Sequence, residues 1–111
     1  MNLEIDGTQV RVGEHLWKAP HEVLDAEVVG NKVLLVYRTP AWHPRWEQFP
    51  NLEAFSLEGC RLWSAEHPTS QATDSYYAIR STSPLVVLSG ASYACTLDIE
   101  SGRLLSSELF K

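Results

Sequence analysis

The sequence predicts an all-β protein with little or no helix, and two repeated segments give the strongest indication. Residues 28–63 and residues 78–105 share one layout: an apolar strand, a gap, a second strand, a tight turn at a glycine and a third strand. The turn glycines, Gly59 and Gly102, lie 43 residues apart, which is about the length of a blade of four antiparallel strands. We therefore expect about two propeller-like four-stranded antiparallel meanders, which together make an incomplete or half β-propeller.

The first residues predict a hairpin followed by a connection, over residues 1–22. Apolar and polar side chains alternate at its start, and Asp6-Gly7 is a hairpin turn signal. A glycine and a proline interrupt the pattern further on, so we expect a connection there, with at most a short strand around Leu16 and Trp17. The segment looks like the final hairpin of a truncated earlier blade.

The first blade-like repeat is predicted at residues 23–65. Gly30-Asn31 forms a two-residue hairpin turn. Residues 32–37 are nearly all apolar after the first position, which is typical of a central strand covered on both faces. Residues 51–57 then alternate in polarity, and Glu58-Gly59 turns the chain into another strand.

A polar linker at residues 66–75 separates this unit from the second blade-like repeat, which is predicted at residues 76–110. The one short candidate for a helix, residues 45–49, has a proline on each side, which argues against it. We expect about eight to ten strands in a single domain comprising residues 1–111.

The two repeats differ most in the loop between their second and third strands. The second repeat crosses with four residues, 89–92, whereas the first uses thirteen, residues 39–51. Loops of that length are usually functional or disordered. Three large aromatic residues and three prolines in residues 39–51 argue against disorder. We name residues 39–51 the aromatic loop.

Tryptophan and arginine are among the residues most enriched at binding hot spots. The best binding candidates in the chain are therefore in the aromatic loop: Trp42, Arg45, Trp46 and Phe49. Three roles remain open for them: a hydrophobic plug over an open sheet face, contact with a protein partner, and a small-ligand site. The first two roles coexist if Trp46 packs inward while Trp42 and Arg45 point outward.

The chain is acidic, with a net charge of −5 and a pI near 5.2. That charge argues against binding a phosphate backbone, so we expect no nucleic-acid partner. It permits a basic protein partner steered in by the electric field, and it also serves simply to keep a small protein soluble. No apolar run is long enough for a membrane span, and the acidic start does not resemble a signal peptide. We expect a cytoplasmic protein that makes no membrane contact.

Motifs for catalysis or cofactor binding are not found in the sequence. It contains no nucleophile elbow, phosphate-binding loop or dinucleotide fingerprint, and its four histidines are not spaced as metal ligands. Cys60 and Cys95 belong to no C-x-x-C pair, which predicts free thiols, with Cys95 in the core. We therefore expect a protein that is not an enzyme, with no catalytic residue, no metal and no cofactor.

Residues 51–63 resemble the blade repeats of quinoprotein-type β-propellers, in which an apolar strand ends in an acidic-glycine turn followed by an apolar strand with tryptophan. Residues 93–105 are similar, although Leu105 stands where the first copy has Trp63. Closed quinoprotein rings bind their cofactor at a centre built from many blades. Two blades have no such centre, so the resemblance implies the fold without the cofactor.

The whole chain also looks like small bacterial half-propeller proteins of immunity type, including inhibitors of toxic nucleases. That resemblance implies a non-enzymatic protein-binding module that binds and blocks a basic toxin domain. Two alternatives stay open. One is a structural or accessory module that completes a partner's sheet through exposed strand edges, and the other is a carbohydrate or small-ligand binder that uses Trp42 and Trp46. We expect a monomer or a weak edge-paired dimer.

The predicted partner-binding residues combine anchors with steering charges. Aromatic and cationic side chains of the aromatic loop would anchor the partner, and nearby carboxylates would steer it. Tyr76 is a further candidate, for which the alternative is that Tyr76 and Tyr77 are simply one buried and one exposed residue of a strand. The full set is Trp42, His43, Arg45, Trp46, Glu47, Phe49, Glu53, Asp74 and Tyr76.

Overall fold

The computed structural model describes residues 2–110. Of these described residues, 52% lie in strands, which form three antiparallel sheets, and none of these sheets is closed into a barrel. The N-terminal sheet contains β1 (Leu3–Asp6), β2 (Gln9–Val12) and β3 (His15–Lys18). The central sheet contains β4 (Val23–Val29), β5 (Lys32–Tyr37), β6 (Leu52–Ser56) and β7 (Arg61–Ser64). The C-terminal sheet contains β8 (Tyr76–Thr82), β9 (Leu85–Ser89), β10 (Tyr93–Leu97) and β11 (Leu104–Leu109).

Each sheet is a meander whose strands pair antiparallel in chain order. The central and C-terminal sheets are the two four-stranded units that the sequence predicts, so the all-β class and both meanders are confirmed. The beginning of the chain differs from its prediction, because β3 pairs with β2 where a connection is expected. The first residues therefore form a separate three-stranded sheet, and the described residues contain eleven strands.

The central sheet is covered on both faces, as the apolar run in β5 predicts. Val33, Leu35 and Tyr37 lie in the core shared with the N-terminal sheet. Leu34 and Val36 lie in the core shared with the C-terminal sheet. Successive side chains of a strand point to opposite faces, so a strand between two cores has no polar position, and all five side chains are buried.

Two hydrophobic cores therefore hold the three sheets together. The N-terminal core also contains the buried side chains of Val10, Val12, Ala19, Phe49 and Phe55. The C-terminal core also contains those of Leu52, Ala54, Trp63, Ala65, Tyr76, Leu85, Val87, Cys95 and Leu97. Fully burying one such large apolar side chain contributes roughly 1.5–3 kcal/mol.

A tryptophan of the N-terminal sheet packs on the turn glycine of the central sheet. The indole nitrogen of Trp17 donates a hydrogen bond to the carbonyl oxygen of Leu57 at 3.0 Å. Its ring covers Gly59, where an added Cβ would lie 2.6 Å from the indole Cγ. Gly59 also has a φ of +97°, so both the space and the backbone conformation require glycine.

The same arrangement joins the central sheet to the C-terminal sheet. Trp63 Nε1 donates to the carbonyl oxygen of Ile99 at 2.9 Å. Its ring covers Gly102, whose φ is +75°, and an added Cβ would lie 2.8 Å from Trp63 Cδ2. The predicted turns at Gly59 and Gly102 are therefore confirmed, and each also receives the indole of the preceding sheet.

Each of these tryptophans stands four residues after a turn glycine of its own sheet: Trp17 after Gly13, and Trp63 after Gly59. In the C-terminal sheet the residue four positions after Gly102 is Ser106, so the strand register places Ser106, and not Leu105, at the position of Trp63. The C-terminal sheet thus offers no indole for a further sheet to receive.

A carboxylate joins the first strands of the central and C-terminal sheets. Asp25 lies at an irregularity in the pairing of β4 with β5, and its Oδ2 accepts a hydrogen bond from the backbone nitrogen of Ile79 on β8 at 2.9 Å. Its Oδ1 accepts from the nitrogen of Ala26, also at 2.9 Å. β4 also contacts β1, so the first strand of the central sheet contacts the first strand of each of the other two sheets.

Candidate functional site

The aromatic loop connects β5 to β6 and is built from two tight turns. A hydrogen bond from His43 N to Pro40 O closes the first at 3.1 Å, and one from Glu47 N to Pro44 O closes the second at 3.2 Å. Neither turn continues into a helix, because prolines recur through the loop and have no N–H to donate.

Gln48 ties the aromatic loop to residues 66–75, the segment that the sequence predicts as a polar linker. Its amide nitrogen lies 2.8 Å from the carbonyl oxygen of Thr69, 3.1 Å from that of Gln71 and 3.2 Å from that of Asp74. A side-chain amide has two protons to donate, so the three carbonyls share them. Residues 66–75 therefore hold the aromatic loop in place as well as joining the two repeats.

Asn51 fixes the other end of the loop, between the central and C-terminal sheets. Its side chain is only 1% exposed, and its amide nitrogen donates to the carbonyl oxygens of Tyr37 at 3.0 Å and Tyr76 at 2.6 Å. Its amide oxygen accepts from the backbone nitrogen of Tyr76 at 2.9 Å. One buried amide thus satisfies backbone groups of two sheets, which a buried polar backbone requires.

Between these anchors, the two tryptophans of the loop point into solvent. Trp42 is 73% exposed and Trp46 is 80% exposed, and Arg45 and Glu47 are exposed beside them. The inward residue is Phe49, which is buried in the N-terminal core. The loop therefore combines a plug with an exposed surface, and the plug is Phe49 instead of Trp46.

A cluster of aromatic rings holds the base of the exposed surface. The ring centroid of His21 lies 4.9 Å from that of Phe49, 5.3 Å from that of Tyr37 and 6.4 Å from that of Trp42. His43 lies 5.1 Å from Phe49 and its Nε2 is 3.0 Å from the carbonyl oxygen of Glu47. Edge-to-face contacts of this kind favour one ring arrangement, so Trp42 is presented on an ordered base.

Four of the predicted partner-binding residues are buried: Phe49, Glu53, Asp74 and Tyr76. Glu53 accepts hydrogen bonds from the hydroxyl of Tyr37 at 2.8 Å and from Arg61 Nη1 at 3.2 Å. Burial and the bond to Glu53 raise the pKa of Tyr37 far above its usual value, so Tyr37 remains a donor. Asp74 and Tyr76 are removed from the surface, whereas Phe49 and Glu53 each line a groove beside the aromatic loop.

Asp74 is completely buried and organises the linker. Its Oδ2 accepts from the backbone nitrogen and from the hydroxyl of Thr69, both at 2.7 Å, and its Oδ1 accepts from the hydroxyl of Ser89. Of the three carboxylates predicted to steer a partner, only Glu47 is therefore exposed. Long-range attraction of a basic partner would depend on the net charge of −5 instead of an acidic cluster at the loop.

A groove lies beside the aromatic loop, and sequence reasoning did not identify it. It has a volume of about 400 Å³, and its walls include the loop residues Phe49 and Pro50. Its polar lining comes from separate segments of the chain: Lys18, His21, Tyr37, Glu53 and Arg61. No local motif connects those segments, so only the packing of the N-terminal sheet on the central sheet brings them together.

His67 is a titratable residue of the segment 66–75, which is hydrogen-bonded to the aromatic loop through Gln48. Its ring stacks on Tyr76 with a centroid distance of 4.5 Å and an interplanar angle of 24°. Both ring nitrogens are buried and have no hydrogen-bond partner. Burial lowers the pKa of His67 below its usual value, and the carboxylate of Asp74 only partly opposes this shift.

Stability is expected to fall as the pH drops below about 6.5, because the unfolded chain then binds a proton that folded His67 resists. The contribution is fully present above the unfolded pKa and is lost as the pH falls toward the lower, folded pKa. Urea midpoints measured at several pH values between about 7.5 and 5.5 test this. The His67→Phe variant, which keeps a stacked ring, should show a shallower decline. An unchanged slope in His67→Phe would contradict the assignment.

The remaining candidate groups make contacts that stabilise the fold. Ser89 donates to Asp74 directly and the ring of His67 makes no hydrogen bond, so these three residues do not form a Ser-His-Asp triad. Burial raises the pKa of Cys95 to about 11, which keeps the thiol protonated. Among residues 2–110, no group of three or more His, Cys, Asp or Glu side chains is placed to hold a metal ion. The same range contains no helix long and apolar enough to cross a membrane.

Residues 1–109 match a family model described as a domain of unknown function, DUF7957. No curated protein and no solved structure matches the chain significantly.

Proposed function

The chain belongs to the DUF7957 family, and we propose that it is a non-enzymatic protein-binding module. We propose further that it is an immunity protein, which binds a bacterial toxin domain in the cytoplasm and blocks it. Trp42, Arg45 and Trp46 would form the centre of the contact, with Glu47 and His43 at its margin. The small-ligand role of the same tryptophans is the alternative.

One observation carries the proposal: two tryptophans stand almost fully exposed on a loop that is anchored at several points. The exposed indoles of Trp42 and Trp46 present a large apolar area to water. An exposed apolar surface of this kind marks an interaction site, where a binding partner buries it. Gln48 and Asn51 already hold the loop by buried or partly buried hydrogen bonds. Binding therefore requires little further ordering, which favours affinity.

Two further properties support a toxin domain as the partner class. The net charge of −5 attracts a basic protein, and nuclease domains are basic because they bind phosphate backbones. The whole chain also looks like half-propeller immunity-type proteins, which act by occupying an enzyme's surface. The buried carboxylates Glu53 and Asp74 are already committed to internal hydrogen bonds, which fits binding better than acid–base chemistry.

A second candidate is a module that completes a partner's sheet, and β11 favours it. This strand lies at the edge of the C-terminal sheet, and its Leu105 and Leu109 are exposed. An edge strand of this kind offers free backbone groups for a further strand. The two candidates use different parts of the molecule, so mutations separate them.

Replacing both Trp42 and Trp46 with alanine is expected to weaken the cognate complex by about 2 kcal/mol or more, roughly 30-fold in Kd. Both side chains are exposed, so thermal stability should change little. The parent protein first serves as bait in lysate of its native host, and mass spectrometry names the captured protein. Calorimetry with that purified protein then measures the affinity of each variant.

The matched control is Leu16→Ala combined with Leu62→Ala, two exposed apolar side chains on other strands. This control should bind like the parent protein. Equal affinity of the tryptophan variant would remove the loop from the interface, and lost binding in the control alone would favour another surface.

Co-expression tests the immunity role: the captured protein should arrest growth alone, and the parent chain should restore growth better than the tryptophan variant. Binding to a sugar array that the tryptophan variant lacks would favour the small-ligand alternative.

A further inference from the structure

The C-terminal sheet leaves one face uncovered, on the side away from its hydrophobic core. Core residues such as Val87 and Cys95 alternate with residues that point outward. The strand register aligns the outward residues in two rows. One row is Ala78, Leu88 and Ala94 and ends at Glu108 on the edge strand, and the other is Ser81, Val86, Thr96 and Ser106. We name the seven uncharged residues of these rows the outer face.

The outer face consists of short, uncharged side chains, and most of them are only half-exposed. The other end of the stack is different. The corresponding positions on the N-terminal sheet carry Glu4, Asp6, Arg11 and Lys18, all exposed. Burying such charges without partners is costly, so the N-terminal sheet is suited to water and the C-terminal sheet is suited to a packed neighbour.

Charges are found only at the margins of the outer face, and they have opposite signs. Arg80 on β8 and Glu108 on β11 line the two sides of a shallow groove of about 230 Å³ over the face. These strands are the opposite edges of the sheet. If a second copy faces the first across a two-fold axis parallel to the strands, β8 of each copy lies opposite β11 of the other. Each Arg80 then meets Glu108 of the second copy.

We propose that two copies of this chain pack their outer faces together as a two-fold dimer. Small residues such as Ala78 and Ala94 allow the sheets to approach to the roughly 10 Å typical of packed sheets. A head-to-tail stack is disfavoured, because the outer face would cover the charged residues of the N-terminal sheet. The dimer shares no residue with the aromatic loop, so it does not rest on the proposed function.

Sedimentation equilibrium over a concentration series tests the dimer, with a monomer mass of 12.5 kDa as the reference. The parent protein should approach twice that mass as its concentration rises. Thr96→Arg places a long charged side chain in the middle of the outer face and should raise the dimer Kd at least about tenfold. Gln9→Arg, on the charged face of the N-terminal sheet, should leave the dimer unchanged. Thermal melts confirm that each variant is folded.

Charge reversal tests the two-fold arrangement itself. Arg80→Glu alone and Glu108→Arg alone each place like charges together and should weaken the dimer by about tenfold. The double variant restores both pairs and should recover the parent Kd. A parent protein that stays monomeric at every concentration would overturn the proposal, as would a dimer that Thr96→Arg leaves intact. If both single variants weaken the dimer and the double variant does not recover the parent Kd, the two-fold geometry is wrong. Masses that grow beyond that of the dimer would indicate head-to-tail stacking instead.

Discussion

Gly102→Ala is expected to lower the free energy of unfolding by about 3 kcal/mol or more, because both the backbone conformation and the space at this position require glycine. The φ of +75° at Gly102 is unfavourable for alanine by about 1–2 kcal/mol. The new Cβ would also lie 2.8 Å from Trp63 Cδ2, and overpacking of that kind typically costs 1–3 kcal/mol. Displacing the indole would weaken its hydrogen bond to Ile99 as well. Denaturation in guanidinium chloride measures the loss.

Gly30→Ala is the matched control. Gly30 also has a positive φ, +60°, but an added Cβ would have no neighbour within 4 Å. It should therefore lose only the backbone contribution, about 1–2 kcal/mol. The difference between the two variants isolates the contact with Trp63. Equal losses at the two positions would mean that the indole moves away freely and that the tryptophan–glycine contact adds little.

Asn51→Leu is expected to destabilise the protein by about 3 kcal/mol, because leucine keeps the branching at Cγ but can form no hydrogen bond. The substitution leaves the buried backbone nitrogen of Tyr76 and the carbonyl oxygens of Tyr37 and Tyr76 without the bonds they make to Asn51. An unsatisfied buried polar group costs about 1–3 kcal/mol. Denaturation measures the total, and faster amide hydrogen exchange at Tyr76 would identify the cause.

Gln48→Leu serves as the comparison, because it removes hydrogen bonds from the same loop at a more exposed position. Thr69 and Gln71, which supply two of its three carbonyl partners, are partly buried and exposed, respectively, so those carbonyls can bind water instead and we expect a loss near 1 kcal/mol. If Asn51→Leu were no more destabilising than Gln48→Leu, the buried amide would not be the connection between the two sheets that its geometry indicates.

The sequence predicts the two four-stranded sheets well because their signals are local. The apolar run in β5 needs both of its faces covered, and glycines mark the turns at Gly59 and Gly102. The N-terminal sheet is predicted only in part: a hairpin at Asp6-Gly7 and a short strand around Leu16 and Trp17 are expected, but the pairing of that strand with the hairpin is not. β3 has four residues, three of them exposed at the surface, so its pattern does not stand out. Its order depends on Trp17, which bonds to Leu57 forty residues away.

The exposed part of the candidate site is also predictable in composition but not in orientation. An aromatic loop of unusual length indicates a binding surface, and Trp42 and Trp46 are exposed. Which aromatic residue points inward depends on the N-terminal core, and Phe49 occupies it. The burial of Glu53 and Asp74 depends on distant partners such as Arg61 and Ser89, which no local pattern reveals.

The repeated indole–glycine contact has a consequence for the order in which the molecule loses structure. The main strand contacts between sheets join the N-terminal sheet to the central sheet and the central sheet to the C-terminal sheet, so stability is transmitted by nearest-neighbour coupling, as in a linear array of repeats. The central sheet has a coupled neighbour on either side, while each terminal sheet has one. Partial unfolding should therefore begin in the two terminal sheets. The aromatic loop is attached to the central sheet and should keep its conformation until that sheet unfolds.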